Sequence, residues 1–134
     1  MCGSLRLERK TRYIHDPIQA YSPTGEFLGS FKWEGFARED SIQKGVWNHR
    51  NPQEAVIKAT EYNEKGVQYL LKGSQAIQAL ITDGFIEGER QIRIVTRPIT
   101  RDETITALNQ GKLPHSRHPK LISVSPQLDS SSKS

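Results

Sequence analysis

The chain has a single cysteine in 134 residues, one methionine, and aromatics at only 7%. One cysteine excludes an internal disulfide and any cysteine-rich zinc site. No apolar run approaches the ~20 residues that cross a bilayer as a helix. The opening Met1-Cys2-Gly3-Ser4-Leu5-Arg6-Leu7-Glu8 lacks the apolar stretch of a secretory signal, so a cytoplasmic location is expected. The hydrophobic fraction, 34%, is below the roughly 45–50% of an average domain, although that average also counts glycine. Part of this deficit sits at the end of the chain. Residues 125–134 carry five serines and one large apolar residue, and this composition predicts a disordered tail after a single domain over 1–124. A net charge of +4 permits an anionic partner such as nucleic acid without requiring one.

What remains reads mainly as strands and turns. Pro23-Thr24-Gly25 marks a turn, and the alternation of Phe27, Phe31 and Trp33 predicts a strand through Trp33. The β-forming run Glu54–Tyr62 follows the turn signal Asn51-Pro52. Val67–Leu71 predicts a short strand. Ala76–Ile81 fits a buried strand or a short helix, and the following Asp83-Gly84 favours a strand that bends. Gln91–Thr96 alternates as a half-buried strand that Pro98 should end. One helix is well marked: Thr100 and Glu103 form a capping-box pattern, Ile105 and Leu108 share a face, and Gly111 is a stop. Lys120–Val124 reads as a last strand. The sum predicts an α+β domain dominated by a mixed sheet, curled or barrel-like, with one or two short helices.

The position of the lone cysteine matters more than its rarity. Removal of Met1 leaves Cys2 with a free α-amine, ordinarily near pKa ~7.7–8.0, beside a thiol near ~8.5. Both are nucleophilic near neutral pH. Such a 1,2-aminothiol suits an aldehyde: the amine condenses with it and the thiol closes a five-membered thiazolidine. Gly3 beside it permits close approach of a ligand.

Several fragments, in order, carry a resemblance. They are Met1-Cys2-Gly3, the segment Lys32-Trp33-Glu34-Gly35-Phe36-Ala37, Asp83-Gly84-Phe85-Ile86-Glu87, the Ile- and Thr-rich Ile92–Thr96, and His115-Ser116-Arg117-His118-Pro119. Together they are similar to the SOS-response-associated peptidase family, as a short and divergent member. The family's Met-Cys-Gly start and its His-x-Arg-x-Pro spacing are kept. Its Asn-Ala-Arg-x-Glu-Thr motif falls best on Val56–Glu61, with Val56 in place of the asparagine and Lys58 in place of the arginine. Gly88 stands where a tryptophan is usual. The resemblance implies a DNA-damage-response protein that crosslinks Cys2 covalently to abasic sites in single-stranded DNA, with autoproteolytic removal of its N-terminal residue. A non-catalytic single-strand-binding module on the same scaffold is the alternative.

With that resemblance, Cys2, Glu87 and His115 are the candidate catalytic residues. A carboxylate at Glu87 holds the amine and moves protons during dehydration, and His115 serves proton transfer near neutral pH. Arg117, Lys58 and Arg97 are candidate phosphate contacts. Trp33 and Phe36 are candidate faces for base stacking, with core packing as the competing role for Trp33. His115 and His118 lack a third ligand nearby, so no metal is expected; nor is a cofactor or a membrane partner, and a monomer is.

Overall fold

The computed structural model describes residues 2–7 and 9–124, with Cys2 described by its backbone alone. The Ser-rich tail anticipated over 125–134 lies outside the described residues. Among the described residues, no helix is long and apolar enough to cross a membrane.

The chain forms β1 (Cys2–Leu7), β2 (Lys10–Arg12), β3 (Pro17–Tyr21), β4 (Phe27–Arg38), α1 (Glu39–Gln43), β5 (Gln53–Ile57), β6 (Glu61–Glu64), β7 (Val67–Leu70), β8 (Gln75–Asp83), β9 (Arg90–Pro98), α2 (Arg101–Asn109), β10 (Arg117–Pro119) and β11 (Leu121–Ser123). A single 3-10 turn, Asn48–Arg50, follows α1. The α+β, sheet-dominated architecture is as expected from the sequence.

The strands form two sheets. Four antiparallel strands lie in the order β2-β1-β6-β7. The other sheet has the order β10-β9-β4-β3-β5-β8-β11, and β9 also pairs with β8. That extra pairing bends the sheet back on itself through β9, β4, β3, β5 and β8. The ring is held loosely at β3–β5, where Tyr21 opposite Val56 is the one register pair. The β4–β9 pairing is parallel and the remaining pairings are antiparallel, so the sheet is mixed.

The main core joins the two sheets. Leu5, Leu7 and Tyr62 from the small sheet pack with Ile18, Trp33, Ile57, Ile77, Ile81, Ile92 and Ile94 from the ring. A second, smaller cluster lies on the opposite face of β4, β8 and β9, where Ala37, Leu80 and Val95 are covered by Ile42 of α1 and Trp47. Buried faces on both sides explain why β8 reads as a nearly continuous apolar run, and they correct the half-buried expectation for Gln91–Thr96, since β9 is buried on both faces despite its alternation.

Two element boundaries change as well. The run Glu54–Tyr62 is two strands, because β5 ends at Ile57 and the chain crosses to the small sheet before β6 begins at Glu61. The strand ending at Trp33 continues to Arg38, since β9 pairs beside it from Lys32 to Arg38. The capping box is formed as expected: the Thr100 side chain accepts from the Glu103 amide, and the Glu103 carboxylate accepts from the Thr100 amide.

Candidate functional site

β1 carries Cys2 into the small sheet, where it is the register partner of Glu64 on β6. Directly opposed residues of an antiparallel pair have Cα atoms roughly 4.5–5.5 Å apart. The register slips between Cys2 and Ser4, so Gly3 is the extra residue of a bulge. Bulges of this kind re-aim the backbone and are common beside functional sites. A Cβ at Gly3 would meet only Asn63 atoms at 3.8 Å, an ordinary contact, so the bulge does not need glycine for space.

Glu64 ends β6 and is 2% exposed. The reversal that follows is a two-residue hairpin in which Lys65 and Gly66 both have positive φ (52° and 85°), as a type I′ turn requires. Burial pushes the Glu64 carboxyl up, against the hydrogen bond and charge of the chain's amino terminus and the charge of His118. Glu64 is therefore a buried carboxyl with a raised pKa, in register with Cys2.

Behind it lies a polar network that is almost fully enclosed. His118, 0% exposed, is held on β10 opposite Arg97 of β9. Its Nδ1 is 3.0 Å from the Tyr62 hydroxyl and 3.5 Å from Glu103 Oε2. The Tyr62 hydroxyl donates to Glu103 Oε2 at 3.0 Å. Tyr62 and Glu103 thus hold the His118 ring from its Nδ1 side. Nε2 is buried and has no hydrogen-bond partner among the described residues. Tyr62 and Tyr69 stack at 5.1 Å, and both meet the His118 ring edge-on.

Glu103 anchors the network. Burial alone raises its carboxyl, but two Arg97 hydrogen bonds at 2.7 Å, then His118 and the Thr100 amide, hold it well below the usual carboxylate range. Burial pushes the Tyr62 phenol far up, and the adjacent Glu103 charge adds to it. The pair Arg97–Glu103 is thus a fixed ion pair, and Arg97 is spent on it rather than presented to a phosphate.

His115 sits in the loop leading to β10. Its Nδ1 is 3.1 Å from the Arg117 carbonyl and 3.2 Å from the Arg117 amide, so the backbone orients the ring. Burial lowers its pKa first, and the positive amino terminus, Lys65 and His118 lower it further. Those influences put His115 in the same electrostatic neighbourhood as Glu64.

Glu87 is placed elsewhere. It is exposed in the turn between β8 and β9, beyond Arg90, whereas His118 pairs at Arg97. Arg90 and Arg97 are roughly 23 Å apart along β9 at about 3.3 Å per residue. The expected convergence of Cys2, Glu87 and His115 is therefore corrected: Glu64 is the carboxyl beside Cys2, and Glu87 is remote from it. Trp33 is corrected as well. It is 0% exposed, inside the main core, so it packs rather than offering a face to a base. Phe36 is half-buried against it, ring edge to ring face at 5.9 Å. Val56, at the position aligned with the family's asparagine, is fully buried. Arg117 donates to the Thr96 hydroxyl and carbonyl at 3.1 and 2.9 Å and lies 3.7 Å from Asp40, which leaves it a partly engaged cation. Lys58 is exposed, with Nζ 4.0 Å from the Tyr21 ring centroid.

Glu64, Tyr62 and Glu103 were not among the candidates drawn from the sequence. The available signal was the i,i+2 pair Tyr62 and Glu64 just before Lys65-Gly66, which puts a carboxyl on the same strand face as a buried aromatic. Comparison with protein-family models, with characterised proteins and with solved structures finds no match to this chain.

Proposed function

We propose that the protein captures abasic sites in single-stranded DNA through Cys2, once the mature chain begins at that residue. The observation that carries this reading is the register of Cys2 against Glu64, a buried carboxyl whose pKa burial raises. His115 in the same electrostatic neighbourhood adds a second group able to move protons near neutral pH.

The chemistry balances without a redox partner. The Cys2 amine adds to C1′ of the ring-opened deoxyribose aldehyde and forms a carbinolamine. Glu64 gives a proton to the departing hydroxyl, water leaves, and a C=N bond forms. The Cys2 sulfur then adds to that carbon as the thiol proton passes to the nitrogen, closing the thiazolidine. One aldehyde and one aminothiol give one thiazolidine and one water. Glu64 is returned to its starting form by the proton released from the amine. General acid–base help of this kind typically contributes about 10²–10⁴-fold.

The test is a denaturing gel of protein mixed with a single strand whose uracil has been excised. Protein shown by mass spectrometry to begin at Cys2 is expected to give a heat-stable adduct that Cys2→Ser abolishes. Absence of an adduct from such protein overturns the reading.

A further inference from the structure

Cys2 lies at the end of the small sheet where the β6–β7 hairpin turns. Its register partner is Glu64, and Lys65 is the next residue. At about 5.5 Å across an antiparallel pair and 3.8 Å per residue, the Lys65 Cα lies within roughly 9 Å of the Cys2 Cα. Two exposed lysines meet at this turn. Lys112 reaches it from the end of α2: a Cβ placed on Gly66 would lie 3.4 Å from Lys112 Nζ and 3.8 Å from its Cε. The base of that side chain is fixed. The Gly111 amide donates to the Leu108 carbonyl and the Lys112 amide to the Ala107 carbonyl, which closes α2 as a Schellman motif. His115 belongs to the same corner, since the Lys65 charge acts on its ring.

Lys65 is not the residue that the turn itself favours. A type I′ hairpin takes positive φ at both central residues, so asparagine, aspartate or glycine is preferred before the glycine. Here Lys65 occupies that place at φ 52°. A side chain of this kind is disfavoured in the left-handed region. Local departures from turn chemistry concentrate at functional sites.

The positive charge at this corner is not offset. Neither Lys65 nor Lys112 forms an ion pair among the described residues. The charges that act on His115 come from the amino terminus, Lys65 and His118, and none is a carboxylate. The acidic groups of the surrounding elements are accounted for. Glu64 is 2% exposed and interacts with the amino terminus. Glu103 is held by Arg97. Asp102 lies beside it in the first turn of α2, roughly 10 Å along the axis from the end of the helix. Glu61, at the other end of β6, accepts from Gln68. Two like charges on one turn with no counter-charge suit an anion. The substrate of the proposed reaction brings one, because every deoxyribose within a strand is flanked by phosphates and lysine is a point-charge phosphate ligand on a flexible stem. Arg97 is committed to Glu103 and Arg117 partly to Asp40, so these arginines are not free for the role.

We infer that Lys65 and Lys112 are the phosphate contacts of the Cys2 site, each holding one of the phosphates that flank the captured deoxyribose. The inference rests on the Cys2 reading for its substrate. It places the anchor of the strand at the β6–β7 turn.

The experiment compares wild type, Lys65→Asn, Lys65→Arg, Lys112→Gln, the double variant Lys65→Asn/Lys112→Gln and the remote variant Lys44→Gln, all beginning at Cys2. Binding of an intact, end-labelled oligo-dT strand is followed by fluorescence anisotropy from 50 mM to 1 M salt. Adduct rates are measured with a subsaturating abasic strand and with glycolaldehyde, an uncharged small aldehyde. For a single strand, log K changes by about 0.7 per phosphate contact for each decade of salt. Lys65→Asn and Lys112→Gln should each flatten the slope by about 0.7 and weaken binding about eight-fold at 50 mM salt, with the losses vanishing toward 1 M. The rate with the abasic strand should fall in proportion, and the glycolaldehyde rate should not change. Lys65→Arg and Lys44→Gln should retain both. Lys65→Asn should also raise the melting temperature, because Asn-Gly is the pair this turn prefers. A merely structural Lys65 would not give a more stable variant that binds less well. Failure of wild type to bind the strand, an unchanged salt slope in the double variant, or equal losses with glycolaldehyde and abasic strand would overturn the inference. If Lys65→Asn fails to fold, the slope of Lys112→Gln decides: flattened for the inference, unchanged against it. The two claims fail separately. An adduct whose rate ignores both lysines leaves the Cys2 chemistry standing and removes the phosphate contacts. Lysine-dependent strand binding without any adduct removes the chemistry and keeps the contacts.

Discussion

Glu64 and Glu87 are both glutamates next to glycine-containing turns, yet their surroundings give them opposite prospects. Glu64 is buried in register with Cys2, and Glu87 is exposed on a distant turn. Glu64→Gln keeps the shape but cannot exchange a proton, so the rate of adduct formation should fall about 10²-fold or more while binding of intact strands is unchanged. Glu87→Gln should leave the adduct rate within two-fold of wild type in the same quenched time course. Equal effects of the two substitutions would contradict this assignment. Trp33 makes the complementary case for the core: being fully buried, Trp33→Ala should destabilise the fold by about 3–5 kcal/mol in urea unfolding. A stable Trp33→Ala variant with impaired DNA binding would instead return it to the surface role.

At the scale of elements, α2 is joined to the sheets through Glu103, which caps the helix, pairs with Arg97 and receives the Tyr62 hydroxyl. Its carboxyl is held below the ordinary value of 4.5 in the fold. A depressed folded pKa contributes stability that is present above the unfolded value and is lost as pH falls through the folded one. The melting temperature should therefore drop as pH is lowered below about 4.5, with a shallower slope in Glu103→Gln, measured by circular dichroism. Identical slopes would show that Glu103 is not the linked group. This helix was also the most legible element in the sequence, because Thr100, Glu103 and Gly111 are local signals with fixed offsets. Strands β1, β2, β3 and β10 were not legible in the same way. β1 reads as a terminus in the sequence, and its pairing with β6 is a contact across some sixty residues. β10 has three residues, too few for any periodicity.

For the whole molecule, the sheet-dominated α+β class followed from short β-rich runs separated by turn signals. The curl comes from the additional pairing of β9 with β8, which closes the sheet on itself. What the chain did not disclose is which fragments of the resemblance end up together. Cys2 and His115–Pro119 share an electrostatic neighbourhood around Glu64, whereas Asp83–Glu87 lies at the other end of β9. Order along a sequence is preserved by any path of the chain, so it carries no information about such distances. If capture is confined to the Cys2 end, adduct yield should be independent of strand length and unaffected by Phe85→Ala. A yield that falls steeply for abasic strands of a few nucleotides would contradict that confinement.

The most direct measurement is intact-mass spectrometry of the product formed with an abasic single strand, using protein that begins at Cys2. The account predicts a mass equal to protein plus abasic strand less one water, formed by wild type, slowed in Glu64→Gln and missing in Cys2→Ser. Free protein and free strand as the sole species with wild type, or an adduct that survives Cys2→Ser undiminished, would contradict it.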